Sequence, residues 1–186
     1  MKGLDIGESE TYRHKKVKRL NFNCALVLFL CAFSLTIVSA YSGSGSGTFA
    51  DPYIITNCTQ LQEMRLALGA NYTLGNNVDC SDTVNWNTGA GFIPVGNGTS
   101  NFVGSLNGQG YNISGLYINR SSSNYVGLFG YVSGGKNIRG IGMLNLSING
   151  SQYVGGIAGV NSNDSIVDCF VKGTIFGNGT YVGGIV

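Results

Sequence analysis

The strongest constraint on this chain is a self-similar unit that recurs at a fixed spacing. Tyr125-Val-Gly-Leu-Phe-Gly130, Tyr153-Val-Gly-Gly-Ile-Ala-Gly159 and Tyr181-Val-Gly-Gly-Ile-Val186 begin at equal intervals (153 − 125 = 181 − 153 = 28). The motif positions are Tyr125, Gly127 and Gly130, then Tyr153, Gly155, Gly156 and Gly159, then Tyr181, Gly183 and Gly184. Ile138 and Ile166 follow their tyrosines at the same offset (138 − 125 = 166 − 153), and Ile141 with Cys169 and Met143 with Val171 keep their apolar character. An imperfect earlier unit, Phe102-Val-Gly-Ser-Leu106, precedes Tyr125 by a shorter interval (125 − 102 = 23). A period in this range means a solenoid or array, in which a unit buries its apolar face only against its neighbours.

The units read as strands. Short runs rich in Val, Ile, Tyr, Phe and Thr alternate with Gly, Asn and Ser clusters, as in Tyr111-Asn-Ile-Ser-Gly-Leu-Tyr-Ile118 and Ser165-Ile-Val-Asp-Cys-Phe-Val171. That is strand-and-turn punctuation without a helical period. One unit supplies about three short strands and three turns, one coil of a β-solenoid rising about 4.8 Å. Strict alternation cannot turn both Val154 and Ile157 inward, so a bulge or bend is expected at Gly155-Gly156. The expected fold is all-β: a right-handed parallel β-helix with a short helical N-terminal cap, preceded by a signal peptide.

Four segments follow: an export segment (1–40), a flexible Gly/Ser linker (41–48), a cap with lead-in coils (49–101) and the repeats (102–186). In the cap, Thr59-Gln-Leu-Gln62 has a capping-box pattern, and Leu61, Met64 and Leu68 share one face of a short helix. Strands are expected in Asn71–Asp79 and Phe92–Val95. The helix would cover the first coil, whose exposed edge otherwise invites pairing with other chains. The sequence stops at Val186 inside a third motif copy, so it is read as truncated there. The alternative is a natural end on an edge strand.

Residues 1–19 are polar and basic, Cys24–Val38 is an almost unbroken apolar run, and Val38-Ser39-Ala40 offers small residues for cleavage. This is the pattern of a secretory signal. An uncleaved anchor would need about 20 apolar residues. Both readings put the body outside the cytoplasm, secreted or at the cell surface, with membrane contact only through an uncleaved N-terminal segment. Such surroundings would let Cys58 and Cys80 pair, the alternative being two buried thiols. Cys169 takes an apolar slot in the repeat and is expected in the core.

These residues resemble the GLUG motif of bacterial and archaeal surface proteins. Gly47-Thr-Phe-Ala-Asp-Pro-Tyr-Ile-Ile55, Tyr72–Asp79 and Phe102–Leu116 resemble that family's lead-in, so the resemblance covers about residues 47–186. It implies a right-handed parallel β-helix in large exported, adhesin-like or cell-envelope proteins, and no catalytic residues. Ser105 and the shorter first spacing depart from the later repeats. The further partners it suggests are cell-surface or extracellular glycans or proteins, and more repeats of the full-length chain.

Candidate chemistry in the body is sparse. The only histidine is His14, so residues 41–186 contain no imidazole. That excludes His-dependent triads and His metal sites there. With five basic and six acidic side chains, the body also lacks the basic footprint of a nucleic-acid binder. Glycosylation sequons begin at Asn57, Asn71, Asn97, Asn112, Asn119, Asn145, Asn149, Asn163 and Asn178. Composition alone gives about three such triplets. The excess points to a sugar-coated surface, or to the preference of turns for Asn, Ser and Thr. A polysaccharide-cleaving site would need converging carboxylates. Asp79, Asp82, Asp164, Asp168, Arg120, Arg139 and Lys172 form no such pattern. Asn161-Ser-Asn-Asp164 reads as an Asx-rich turn rather than a calcium loop. No catalytic, cofactor-binding or metal residue is assigned.

The expected function is a non-catalytic surface repeat protein, adhesin-like or an envelope scaffold. The alternative is the N-terminal part of a carbohydrate-active β-helix enzyme, a lyase or glycosidase, whose catalytic part lies beyond Val186.

Overall fold

A computed structural model of the protein describes residues 41–186. The export segment lies outside the described residues. Among those described, no helix is long and apolar enough to cross a membrane.

The described chain is mostly β. Its strands are β1 (Tyr53–Ile55), β2 (Asn71–Leu74), β3 (Val78–Asp79), β4 (Ser105–Asn107), β5 (Asn112–Ser114), β6 (Tyr117–Asn119), β7 (Phe129–Ser133), β8 (Asn137–Arg139), β9 (Gly142–Gly150), β10 (Ala158–Ser162), β11 (Ser165–Val167) and β12 (Phe170–Gly177). They make three parallel sheets, ordered β1-β2-β4-β8-β11, β7-β10 and β3-β5-β9-β12, with β6 also on β9. Apart from β1 with β2 and β5 with β6, sequence neighbours lie in different sheets, and strands pair with those of the preceding or following unit. Ile138 pairs with Ile166, Met143 with Val171, and Ala158 with Phe129.

Those partners are the apolar positions of the repeat, so the core is built of ladders. Tyr53, Tyr72, Leu106, Ile138 and Ile166 are successive rungs in one sheet. Val78, Ile113, Met143 and Val171 are rungs in another. In a strand only alternate residues face inward. Burial follows that rule: Tyr72, Leu106 and Ile138 are buried, and their neighbours Asn107, Asn137 and Arg139 are not. An aromatic spine, Tyr41–Tyr53–Tyr72–Phe102–Phe129, runs through the interior with successive ring centroids 4.4, 5.6, 6.2 and 4.7 Å apart.

The motif shows how the chain turns between sheets. Val126, Val154 and Val182 form parallel bridges in register. Beyond Val154 the chain bends at Gly156-Ile157 before β10 begins. The bend rotates the chain so that Val154 and Ile157 are both fully buried, the irregularity expected next to Gly155-Gly156. A Cβ on Gly159 would overlap the Tyr153 carbonyl oxygen and stand 2.8 Å from that of Gly130. Backbone from two coils meets there, so no side chain fits.

The repeat is not uniform along the chain. Lys172 pairs with Leu144, but Gly173 pairs with Leu146, so Asn145 is an extra residue in β9. Asn145 sits in the left-handed region (φ 51°), as a bulge residue often does. The loop after β12 restores the register, because Tyr153 still stacks on Tyr181.

Several expectations need correction. Residues 41–48 are not a flexible linker. Ser44 accepts a hydrogen bond from the Ile54 backbone N–H (2.9 Å), Gly47 accepts one from Asn71 (2.8 Å), and the Tyr41 hydroxyl donates to the Ile54 carbonyl (2.8 Å). The glycines are there for closeness: a Cβ on Gly45 would overlap the Pro52 carbonyl. This segment, rather than the helix, bonds along β1. The helix α1 (Cys58–Glu63) is capped by Asn57, not Thr59; the Asn57 side chain accepts from the Gln60 N–H at 2.9 Å. Gln60 reaches back to the Thr56 N–H at 2.7 Å, so the reciprocal box starts earlier than its sequence pattern. Leu61 and Met64 enter the core, but Leu68 lies past the helix and a short 3-10 turn. Asn71–Asp79 is two strands broken at Gly75-Asn76-Asn77, and Phe92–Val95 makes only single bridges. Cys169 is half-buried, packed against the core.

The glycine contacts yield a paired test. Gly159→Ala is expected to cost about 2 kcal/mol or more, the overpacking penalty. Gly184→Ala, where an added Cβ meets nothing within 4 Å, should be nearly neutral. Urea midpoints of the two variants check this; equal midpoints would contradict the packing.

Candidate binding surface

The outer face of the five-stranded sheet carries a trough of about 370 Å³. Its walls come from outward positions flanking the buried rungs Tyr72, Leu106 and Ile138. Asn71 pairs with Ser105, and Thr73 with Asn107, which in turn pairs with Arg139; Asn137 precedes the Ile138 rung. Gln109 closes one side, and Phe49 and Pro52 form the rim beside β2. Phe49 is 90% exposed. No carboxylate lines the trough, although Asp51 shares the rim turn, its N–H bonded to the Thr48 hydroxyl (3.1 Å).

Internal hydrogen bonds fix much of this wall. Ser105 donates to Asn71 Oδ1 (2.7 Å), whose Nδ2 donates to the Gly47 carbonyl (3.2 Å). Gln109 Nε2 donates to the Thr73 hydroxyl (2.6 Å), which donates onward to the Asn107 carbonyl (3.1 Å). Asn137 and Arg139 are exposed. The surface therefore pairs a hydrogen-bonded amide and hydroxyl wall with one guanidinium and one aromatic ring. It can hold a polar ligand but offers no converging acid and base.

A second depression of about 380 Å³ lies beside α1, among Thr59, Gln62, Glu63, Arg65, Leu66 and Trp86. Its polar groups are largely engaged. Gln62 exchanges two 2.8 Å hydrogen bonds with the Ile93 backbone, and Trp86 Nε1 donates to Asp82 (3.1 Å).

The charged groups singled out in the sequence are scattered. Asp79 lies in β3, and the Ser81 N–H (2.9 Å) holds its carboxyl below the ordinary range. Asp82 is lowered likewise by donors from Asn85 and Trp86. Arg120 donates to the carbonyls of Phe92 (3.1 Å) and Gly91 (3.4 Å), and burial lowers its pKa. Asp164 and Asp168 flank opposite ends of β11, and Arg139 and Lys172 belong to different sheets. Asp168 has φ 52° where Gly140 has φ 63° one unit earlier, so it holds a corner. Asp164 accepts from the Lys136 N–H (2.9 Å) and closes the Asn161 turn. Among the described residues no cluster of three or more His, Cys, Asp or Glu could hold a metal.

Tyr125, Tyr153 and Tyr181 stack with near-parallel rings, 5.1 and 4.9 Å between centroids. All three have φ near +60°, a cost for a non-glycine residue that ring stacking helps to offset. Of the sequons, Asn57, Asn97, Asn119, Asn145, Asn163 and Asn178 are exposed, while Asn71, Asn112 and Asn149 are partly buried. A disulfide joins Cys58, which opens α1, to Cys80, which follows β3.

The sequence marks Asn71 only as a sequon and Arg139 only as a charge, and sequence reasoning misses Phe49, Thr73, Asn107, Gln109 and Asn137. The available signal is the polar residues flanking Leu106 and Ile138. Leu106 pairs with Tyr72 on one side and Ile138 on the other, and both steps are longer than the period of the tyrosine motif.

Parallel stacked units with a tyrosine and glycine signature define a motif-repeat protein, and comparison names the motif: the GLUG motif matches residues 150–175. The chain carries that motif. It is 37% identical over 148 residues to halomucin of Haloquadratum walsbyi, covering 76% of this chain and 2% of the relative. To a protein of Evansella cellulosilytica named as a Gly-rich membrane protein it is 29% identical over 160 residues, covering 79% of this chain and 18% of that one. This chain thus spans a small part of either relative's length. An immunoglobulin A1 protease-like protein of Bacteroides ovatus matches in structure with a TM-score of 0.49 at 21% identity, over 70% of this chain and 40% of that one.

Alkaline pH tests the tyrosine cluster that anchors residues 41–48. Burial raises the pKa of Tyr41 and Tyr72 well above the ordinary value near 10. The folded state therefore keeps its protons while the unfolded chain loses them, so this stabilisation is complete below about pH 10 and falls as pH rises beyond it. Urea midpoints are expected to drop as pH rises from about 10 towards about 12, and less steeply in Tyr41→Phe. Identical pH dependence in both proteins would contradict this.

Proposed function

We propose that this chain is part of an exported, non-catalytic cell-surface protein, an adhesin-like scaffold. In this reading its parallel sheets wind as a right-handed parallel β-helix that displays variable polar loops. The observation that carries the reading is the ladder itself. Motif backbone groups bond to the next coil, from Val126 N–H to the Tyr153 carbonyl (3.0 Å) and from Val154 N–H to the Tyr181 carbonyl (2.9 Å). A lattice bonded in this direction is stiff along its axis and leaves its outer side chains free to vary. Right-handed winding is the general preference of parallel β crossovers.

The relatives' names, halomucin and Gly-rich membrane protein, support a surface or membrane-associated location. The Cys58–Cys80 disulfide fits an oxidising compartment. Exposed sequon asparagines give a glycosylating host outward-facing attachment points, whereas Asn71 has both ends of its amide engaged.

The purified full chain is expected to be retained saturably on cells or immobilised glycans, without releasing sugar ends from plant or envelope polysaccharides. Release of reducing ends or unsaturated products would overturn the non-catalytic reading.

A further inference from the structure

We propose that the trough on the five-stranded sheet binds an anionic oligosaccharide laid across the strands. This rests on the adhesin-like reading above and gives it a ligand class. Three observations lead there. First, the wall is periodic: Thr73, Asn107 and Arg139 occupy successive rungs, about 4.8 Å apart as in any sheet. A pyranose chain advances by a similar step per sugar, so consecutive rings meet consecutive rungs. Second, beside the Arg139 guanidinium the wall carries the half-buried amide of Asn107 and the exposed amides of Gln109 and Asn137, whose mixed donors and acceptors match sugar hydroxyls. Gln109 is held by its bond to the Thr73 hydroxyl (2.6 Å) and Asn107 by accepting from the Gln109 N–H (3.2 Å), so little ordering of these two remains to oppose binding. Third, the trough contains a cation and no carboxylate. Arg139 is exposed at the end of β8, where its planar fork can take a carboxylate or sulfate ester in two charge-assisted hydrogen bonds.

Phe49 completes the site. A phenylalanine 90% exposed on a rim is a platform for the apolar face of a sugar ring. It is held beside β2 because its turn is closed by the Ser46 and Thr48 N–H bonds to the Asp51 carbonyl (3.1 and 3.2 Å). Asp51 stands outside the lining and disfavours an anion at the rim, which puts the acidic substituent at the Arg139 end.

Titration calorimetry of the full chain with a tetrameric galacturonate, a sulfated galactan tetramer and a neutral galactan tetramer tests the site. The uronate or the sulfated tetramer should bind with half-saturation below about 1 mM, and the stronger of the two identifies the substituent. The neutral tetramer should bind at least about tenfold more weakly. Arg139→Gln should remove that preference, and Phe49→Ala should weaken all three ligands. Lys172→Gln, on another sheet, should change nothing. Equal binding of neutral and acidic tetramers, no binding of either acidic one, or binding indifferent to both Arg139→Gln and Phe49→Ala would overturn the proposal. Retention on cells that survives Arg139→Gln and Phe49→Ala would sink this site yet leave the adhesin-like reading intact. Ligand cleavage in the trough would do the reverse.

Discussion

Hydrogen bonding between successive units, rather than within them, is the condition that the rest of this structure obeys. Val154 donates to the Tyr181 carbonyl and accepts from the Gly183 N–H, while Gly155 donates back to Val126. A coil can make those bonds only if its neighbour presents backbone at the same height and angle. That demand explains the glycines at 130 and 159, where backbone from two coils leaves no room for a Cβ. It also explains why a tyrosine tolerates the left-handed region three times over: the ring then lies flat on its counterpart.

The same condition decides what is legible in the sequence. The motif repeats because each copy solves one packing problem, so rung pairs such as Ile138 with Ile166 can be read from spacing alone. The bend beside Gly155-Gly156 can be read as well, because alternation forbids Val154 and Ile157 from sharing a face without it. Residues 41–48 mislead because Gly and Ser suit flexible linkers and close backbone approach equally, and only contact with Ile54 and Asn71 separates the two. The helix cap is misplaced because Thr59 fits the consensus as well as Asn57 does. The trough is not legible because its rungs run from the lead-in into the first repeat unit, across steps that do not match the period.

Variation is confined to what the ladders leave outside. Asn107, Asn137 and Arg139 flank apolar inward rungs, yet nothing in the core dictates their identity. Corner residues such as Asp168 are constrained by backbone conformation, which accounts for charges that form no functional cluster. The disulfide adds a covalent tie between α1 and the end of β3, closing a loop with a sequence separation of 22, worth about 3 kcal/mol in chain-entropy terms. It lies at the lead-in, where the ladders have the fewest rungs to share.

Successive units stack in parallel with their motif positions in register, and register-specific cross-linking tests this stacking most directly. Asn137 and Ser165 are partners on adjacent strands, both exposed, and Val167 lies further along the same face. In a Cys169→Ser background, Asn137→Cys with Ser165→Cys should oxidise readily to an intrachain disulfide, since partners at sheet spacing fall within disulfide reach. Asn137→Cys with Val167→Cys should cross-link poorly. Preferential cross-linking of the second pair, or of neither, would contradict the stacked arrangement.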